Sequence, residues 1–168
     1  MSMEIERKYL IRMPDEEKLR AMPGCEVWDI VQTYLLDGGV GQTRRLRSVC
    51  TRGETHYIYT FKQRINELTC DEREEEIGAE EYQARLRDAN PELRPIEKRR
   101  YRVPHRGQLM EIDIYSFWND RATLEIELER EDQAPELPEW LEIVRELTGE
   151  RAYKNRYLAE SVPMEEIG

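Results

Sequence analysis

Polar and apolar residues alternate along most of this chain with a period of two. Successive side chains of a β-strand point to opposite faces, so Met110, Ile112 and Ile114 fall on one face and Glu111 and Asp113 on the other. Leu124, Ile126 and Leu128 oppose Glu125, Glu127 and Glu129 in the same way, and the chain opens with Glu4, Glu6 and Lys8 against Met3, Ile5 and Tyr9. Further strands are predicted over 27–37, 43–51, 57–62, 71–77 and 96–103. The first two are joined as a hairpin at Gly38-Gly39. Arg45 and Arg47 share a face, as do Thr60 and Lys62, Glu72, Glu74 and Glu76, and Lys98 and Arg100.

Longer spacings predict helices. One or two turns follow Pro14 and end at Pro23-Gly24, and residues 79–89 place Tyr82 and Leu86 as an i, i+4 pair. Residues 139–148 carry Trp140, Leu141, Val144 and Leu147 as an apolar stripe stopped by Gly149, and a short helix is predicted over 151–160. About eight strands and three or four helices, without sustained βα alternation, predict an antiparallel α+β fold. Residues 1–168 contain no low-complexity linker and read as a single domain.

Charged residues make up 37% of the chain and the net charge is −10, which raises disorder as a first possibility. Three Trp, nine Tyr and 39% hydrophobic residues, spread through periodic segments, argue for a folded domain instead. The acidic balance weighs against a nucleic-acid binder that works by bulk charge. Cys25, Cys50 and Cys70 form no CxxC pair and read as reduced thiols. No apolar run approaches a membrane span, and the expectation is a soluble, cytoplasmic protein, monomer or homodimer. His56 and His105 lack ligand spacing, and there is no Ser-His-Asp set, Walker loop or GxGxxG pattern.

The charged faces carry the functional signal. A surface selected only for solubility intersperses its signs, whereas here they come in blocks. Like charges at i, i+2 repel unless something binds between them, so the carboxylate blocks suggest divalent cations and the Arg and Lys blocks a polyanion. If about eight antiparallel strands close into a barrel with these faces inward, the result is a charged tunnel. Its cost in desolvation is a reason to expect a site there.

At this point the ordered motifs resemble a known family. Glu4-x-Glu6-x-Lys8, Arg45-x-Arg47, Thr60-x-Lys62, an alternating Glu strand, Lys98-x-Arg100, Glu111-x-Asp113 and Glu125-x-Glu127 follow one another as in CYTH proteins, the triphosphate tunnel metalloenzymes. Pro138-Glu139-Trp140-Leu141 and Tyr153-Lys154-Asn155 resemble bacterial members. The resemblance implies an eight-stranded antiparallel β-barrel with flanking helices, acting on triphosphates with Mg²⁺ or Mn²⁺. It implies triphosphate contacts from Lys8, Arg45, Arg47, Lys62, Lys98 and Arg100. Metal contacts, direct or through water, would come from Glu4, Glu6, Glu111, Asp113, Glu125 and Glu127, with Glu4, Glu6 and Lys8 at the catalytic centre. Glu72 and Glu74 carry over less securely, because Cys70 stands where relatives have Arg and Arg73 would face the other way unless a bulge resets the register. Lys154 reads first as a solvated helix lysine and second as a residue that reaches the tunnel mouth and joins the site. The leading expectation is hydrolysis of inorganic tripolyphosphate. Adenylate cyclase, thiamine triphosphatase and non-catalytic polyphosphate or nucleotide binding are the alternatives, and no feature of the chain is assignable to base recognition.

Overall fold

A computed structural model describes residues 5–36, 38–65, 70–130 and 132–168. The alternating segments form one antiparallel sheet: β1 (Ile5–Arg12), β2 (Glu26–Tyr34), β3 (Gln42–Thr51), β4 (Glu54–Arg64), β5 (Cys70–Ile77), β6 (Ile96–His105), β7 (Gln108–Tyr115), β8 (Arg121–Leu128) and β9 (Ile143–Glu146). The hydrogen-bonded order is β5-β4-β3-β2-β6-β7-β8-β1-β9. Nine strands therefore replace the expected eight, and among the described residues no ladder joins β5 to β9. Among the described residues the sheet is therefore not closed by hydrogen bonds into the expected barrel. Its curl nevertheless brings β1 and β8 to face β3 and β4 across a common cavity. No helix among the described residues is long and apolar enough to cross a membrane.

The register keeps each charged block on one pleat. Lys8 lies opposite Glu125, Glu111 opposite Glu125, Arg100 opposite Asp113, and Arg45 opposite Thr60. The other pleat of β1, β6, β7 and β8 supplies Tyr9, Ile11, Tyr101, Val103, Met110, Ile112, Leu124 and Ile126 to the main core. Leu19 of α1 (Glu16–Arg20) and Leu141 cover that core from outside. α1 begins where the sequence predicts, with the Asp15 carboxylate accepting from the Glu17 N–H at its N-terminus. α2 (Ala79–Arg85) continues into a 3₁₀ turn at Leu86–Asp88, and Tyr82 and Leu86 pack over Leu35 and Leu46.

Two expected elements are corrected. Residues 139–148 are not a helix: Ile143–Glu146 is a strand, paired antiparallel with β1 through Tyr9–Glu146, Leu10–Arg145 and Ile11–Ile143. The apolar residues were rightly identified, since Trp140 and Leu141 reach the core, but their period was not. β1 is bonded on one side only by β8, so its other edge needs backbone partners, and the β-branched pair Ile143-Val144 suits a strand. The predicted final helix is split. Arg151–Tyr153 is a 3₁₀ turn, Lys154 is extended at φ −74°, ψ 142°, and only α3 (Asn155–Leu158) is α-helical.

The remaining chain returns along the sheet. Trp118 Nε1 donates to Pro163 O at 3.1 Å, Arg12 donates to the carbonyls of Ile167 and Gly168, and Glu165 accepts from Arg145 at 2.6 Å and from the Tyr153 hydroxyl. Together with Tyr115, Trp118, Leu147, Tyr153 and Leu158, this segment closes one end of the inner face with a second apolar cluster.

Candidate active site

The inner pleat encloses a cavity of about 470 Å³. β1 contributes Glu6 and Lys8, β3 contributes Thr43 and Arg45, β4 contributes Thr60, Lys62 and Arg64, and β8 contributes Glu125. The segment after β9 forms the remaining wall, with Arg151, Lys154 and Arg156 among its residues. Seven cationic side chains line the cavity against Glu6, Glu125 and Glu150. A chain of net charge −10 thus concentrates positive charge in one concave place. Such focusing in a low-dielectric cleft favours a polyanion.

Several of these donors lack protein partners. Among the described residues, Arg45 Nε and Thr60 Oγ1 are buried with no hydrogen-bond partner, and no carboxylate lies within ion-pair distance of Lys62. A buried donor left unpaired costs about 1–3 kcal/mol, so the arrangement is suited to an acceptor that arrives from outside. Lys8 is held between two oxygens, donating to Tyr153 O at 2.7 Å and lying 3.6 Å from Glu125 Oε1.

A largely buried layer lies beside the cavity, with Lys98, Arg100, Glu111 and Asp113 buried and Arg47 half-buried. Arg47 Nε and Nη2 donate to Gln32 Oε1 at 3.0 and 2.7 Å. Burial, then the neighbouring Arg45 and Arg100, lower the Arg47 pKa to about 10. Arg100 donates to both Asp113 oxygens at 2.8 and 2.9 Å and to Glu111 at 3.1 Å. Burial opposes its charge, but Asp113 and Glu111 outweigh burial and hold its pKa above the ordinary arginine value. Lys98 Nζ lies 2.9 Å from Asp113 Oδ2, though off the hydrogen-bonding axis. Its pKa falls to about 8 because burial, Arg100 and Arg47 exceed the pull of Asp113. Burial would raise Asp113, yet Lys98 and Arg100 hold its carboxyl well below the usual range. Glu111 is raised by burial, Asp113 and Glu125 despite Arg100.

The structure therefore separates the residues singled out in the sequence. Glu6, Lys8, Arg45, Lys62, Glu125 and Lys154 line the cavity, Lys154 from its exposed rim. Arg47, Lys98, Arg100, Glu111 and Asp113 form the buried layer. There, cations and carboxylates on adjacent strands neutralise one another, which accounts for part of the block pattern without a ligand. Glu127 is exposed beyond Glu125, and Glu72 and Glu74 are exposed on the edge strand β5, opposite Lys62 and Thr60. The β4–β5 register runs unbroken from Tyr57–Ile77 to Arg64–Cys70, so no bulge turns Arg73 inward. Glu4 lies outside the described residues. Gln32, Thr43, Arg64, Arg151 and Arg156 were not foreseen. Gln32 could have been noticed as a lone amide in the β-branched run of β2, whereas the others depend on which chain segments meet.

The carboxylates suit a hard divalent cation in chemistry but do not form a ready cage. Glu6 lies directly opposite Glu127, and Glu111 opposite Glu125. Like charges so placed destabilise a sheet, and an oxygen-seeking cation that keeps several waters relieves them. Among the described residues, no three His, Cys, Asp or Glu side chains converge on one point.

No protein-family model matches the chain. An inorganic triphosphatase of Nitrosomonas europaea is 32% identical to it over 165 residues, which cover 95% of this chain and 99% of that protein. A crystal structure of an inorganic triphosphatase has a TM-score of 0.65 at 30% identity, covering 98% of this chain and 99% of the other. A Pyrococcus horikoshii protein has a TM-score of 0.52 at 19% identity, covering 76% of this chain and 81% of its own. A proposed adenylate cyclase of Bacillus halodurans has a TM-score of 0.51 at 14% identity, covering 82% and 95%. Identities this low show a shared fold alone.

Proposed function

The chain belongs to the inorganic triphosphatase family, the CYTH group its motifs resemble, and from that premise we propose that it hydrolyses inorganic tripolyphosphate to pyrophosphate and phosphate. The observation that carries the proposal is the set of unpartnered donors in the cavity, Arg45 Nε and Thr60 Oγ1, beside Lys62. The curled sheet supports reading the cavity as the tunnel of a barrel-like fold, with β9 added to β1.

Phosphoryl transfer asks a protein mainly for positioning and charge neutralisation. Arg45 would offer a guanidinium fork to phosphate oxygens, Arg47 would add a second guanidinium from beside the cavity, and Lys8, Lys62 and Lys98 would act as point charges. Asp113 holds Arg100 and Lys98 in place, and Gln32 holds Arg47. Glu6 and Glu125, with Glu4, Glu111 and Glu127, would hold Mg²⁺ or Mn²⁺ directly or through water, whereas Asp113 has both oxygens engaged by Arg100 and Lys98. When bound, the ion supplies charge neutralisation at the phosphate oxygens and a water of lowered pKa. Glu6, which lines the cavity, would orient that water.

Phosphate release from tripolyphosphate and from ATP, measured side by side with Mg²⁺, Mn²⁺ and EDTA, tests this reading. The expected result is fast release from tripolyphosphate, slow release from ATP and none in EDTA. Arg47→Ala loses about 1.5–3 kcal/mol of charge-assisted binding, or about 10- to 100-fold in kcat/KM. Full activity in both Glu6→Gln and Arg47→Ala would overturn the assignment, and formation of cyclic AMP from ATP would replace it with the cyclase reading.

A further inference from the structure

The cavity has cations on two separate parts of the chain. Arg45 and Lys62 come from β3 and β4, whereas Arg151 and Arg156 come from the turn and helix after β9. The second pair flanks a single aromatic ring. Arg151 Cζ lies 5.3 Å and Arg156 Cζ 5.9 Å from the Tyr157 ring centroid, and all three line the cavity.

Arg156 Nη1 lies 3.5 Å from Glu160 and is buried without a hydrogen bond. Among the described residues, Arg151 has no carboxylate within ion-pair distance. The ring restricts two guanidinium groups that are still short of acceptors. Because those cations already occupy its surroundings, Tyr157 is a poor platform for stacking a base.

We propose that Arg151 and Arg156 are specificity-determining residues that bind the second terminal phosphate of a linear inorganic polyphosphate and so select it over nucleoside triphosphates. The proposal rests on the triphosphatase reading for its substrate class. Inorganic triphosphate is ionised at both ends. In a nucleoside triphosphate the α-phosphate is esterified, and that end continues into an uncharged nucleoside. A cavity with one cation cluster cannot tell these apart by charge, but a second cluster on another wall can. ATP leaves the second cluster without its anion and brings an uncharged nucleoside to a wall whose ring already has two cations beside it, so the cluster favours the substrate that is ionised at both ends.

The test compares the full chain with Arg151→Gln, Arg156→Gln and the double variant. It measures kcat/KM with Mg²⁺, and calorimetric affinity with Ca²⁺ as a probe, for tripolyphosphate and for ATP. The double variant is expected to lose about 10- to 100-fold in affinity for tripolyphosphate, mainly through KM, and to lose far less for ATP. Arg151→Lys and Arg156→Lys, which keep charge without the fork, should recover part of the preference. Equal losses on both substrates, or an unchanged preference in the double variant, would overturn the proposal. So would a wild-type chain that binds ATP as tightly as tripolyphosphate. Absence of turnover with retained preference in binding would overturn the hydrolase reading alone, because the affinity ratio reads the selectivity without catalysis.

Discussion

Asp113 holds two cations on one buried carboxylate, Lys98 and Arg100, and the buried layer depends on it. Removing one member of such a group leaves uncompensated charge at a cost of about 3–5 kcal/mol. Asp113→Asn should therefore lower the urea midpoint by a corresponding amount. Lys98 links this layer to pH. Its native pKa of about 8 lies below its ordinary 10.5, so between these values the unfolded chain binds more protons and the Lys98 contribution to stability rises with pH. The proposed phosphate contact of Lys98 would have the opposite dependence, because the cation is lost as pH rises through about 8. Since kcat/KM reports the free enzyme, it should fall for tripolyphosphate above about pH 8, and in Lys98→Met it should be low and lack that step. The i, i+2 spacing made these side chains legible in the sequence. It did not reveal that Asp113 and Glu111 serve Lys98 and Arg100, because the pairing of β6 with β7 brings those blocks together.

At the scale of elements, the sheet was legible where charge and apolar residues alternated over a full strand, as in β7 and β8. It failed at β9, where Trp140, Leu141, Val144 and Leu147 fit a helical period as well as the four-residue strand fits β1. A strand so short gains its identity from the edge it completes, and that edge is remote in sequence. The returning tail was invisible for the same reason. Glu165 is held down to about 2, chiefly by hydrogen bonds from Arg145 and then Tyr153. A carboxyl depressed in the folded state stabilises above its ordinary value of 4.5 and loses that contribution as pH falls toward 2. The tail should therefore loosen on acidification through that window, detected as a change in Trp118 fluorescence, because Trp118 bonds to Pro163. Glu165→Gln should show the loosened signal already at neutral pH, together with a smaller rise in KM, since Tyr153 O positions Lys8.

For the whole molecule, composition correctly suggested an acidic folded domain but concealed its internal division of charge. Only the sheet order shows that Asp113 and Glu111 are engaged by Lys98 and Arg100 while seven cations face three carboxylates across the cavity. That order has a consequence in time. β1 is made early and rests between β8 and β9, both made late. At about 5–20 residues per second, synthesis leaves this half-charged strand without either neighbour for on the order of ten seconds. Long-range pairings of this kind also slow folding, to the millisecond-to-second range for sheet-rich domains. Stopped-flow refolding should show a slow phase that Ile11→Ala changes little while its unfolding rate rises, the pattern of a strand that docks after the transition state. The strand that carries Glu6 and Lys8 is then among the last to find its neighbours, and a chain released before β9 is complete would leave one edge of β1 unpaired and lack the wall that Arg151 and Arg156 supply.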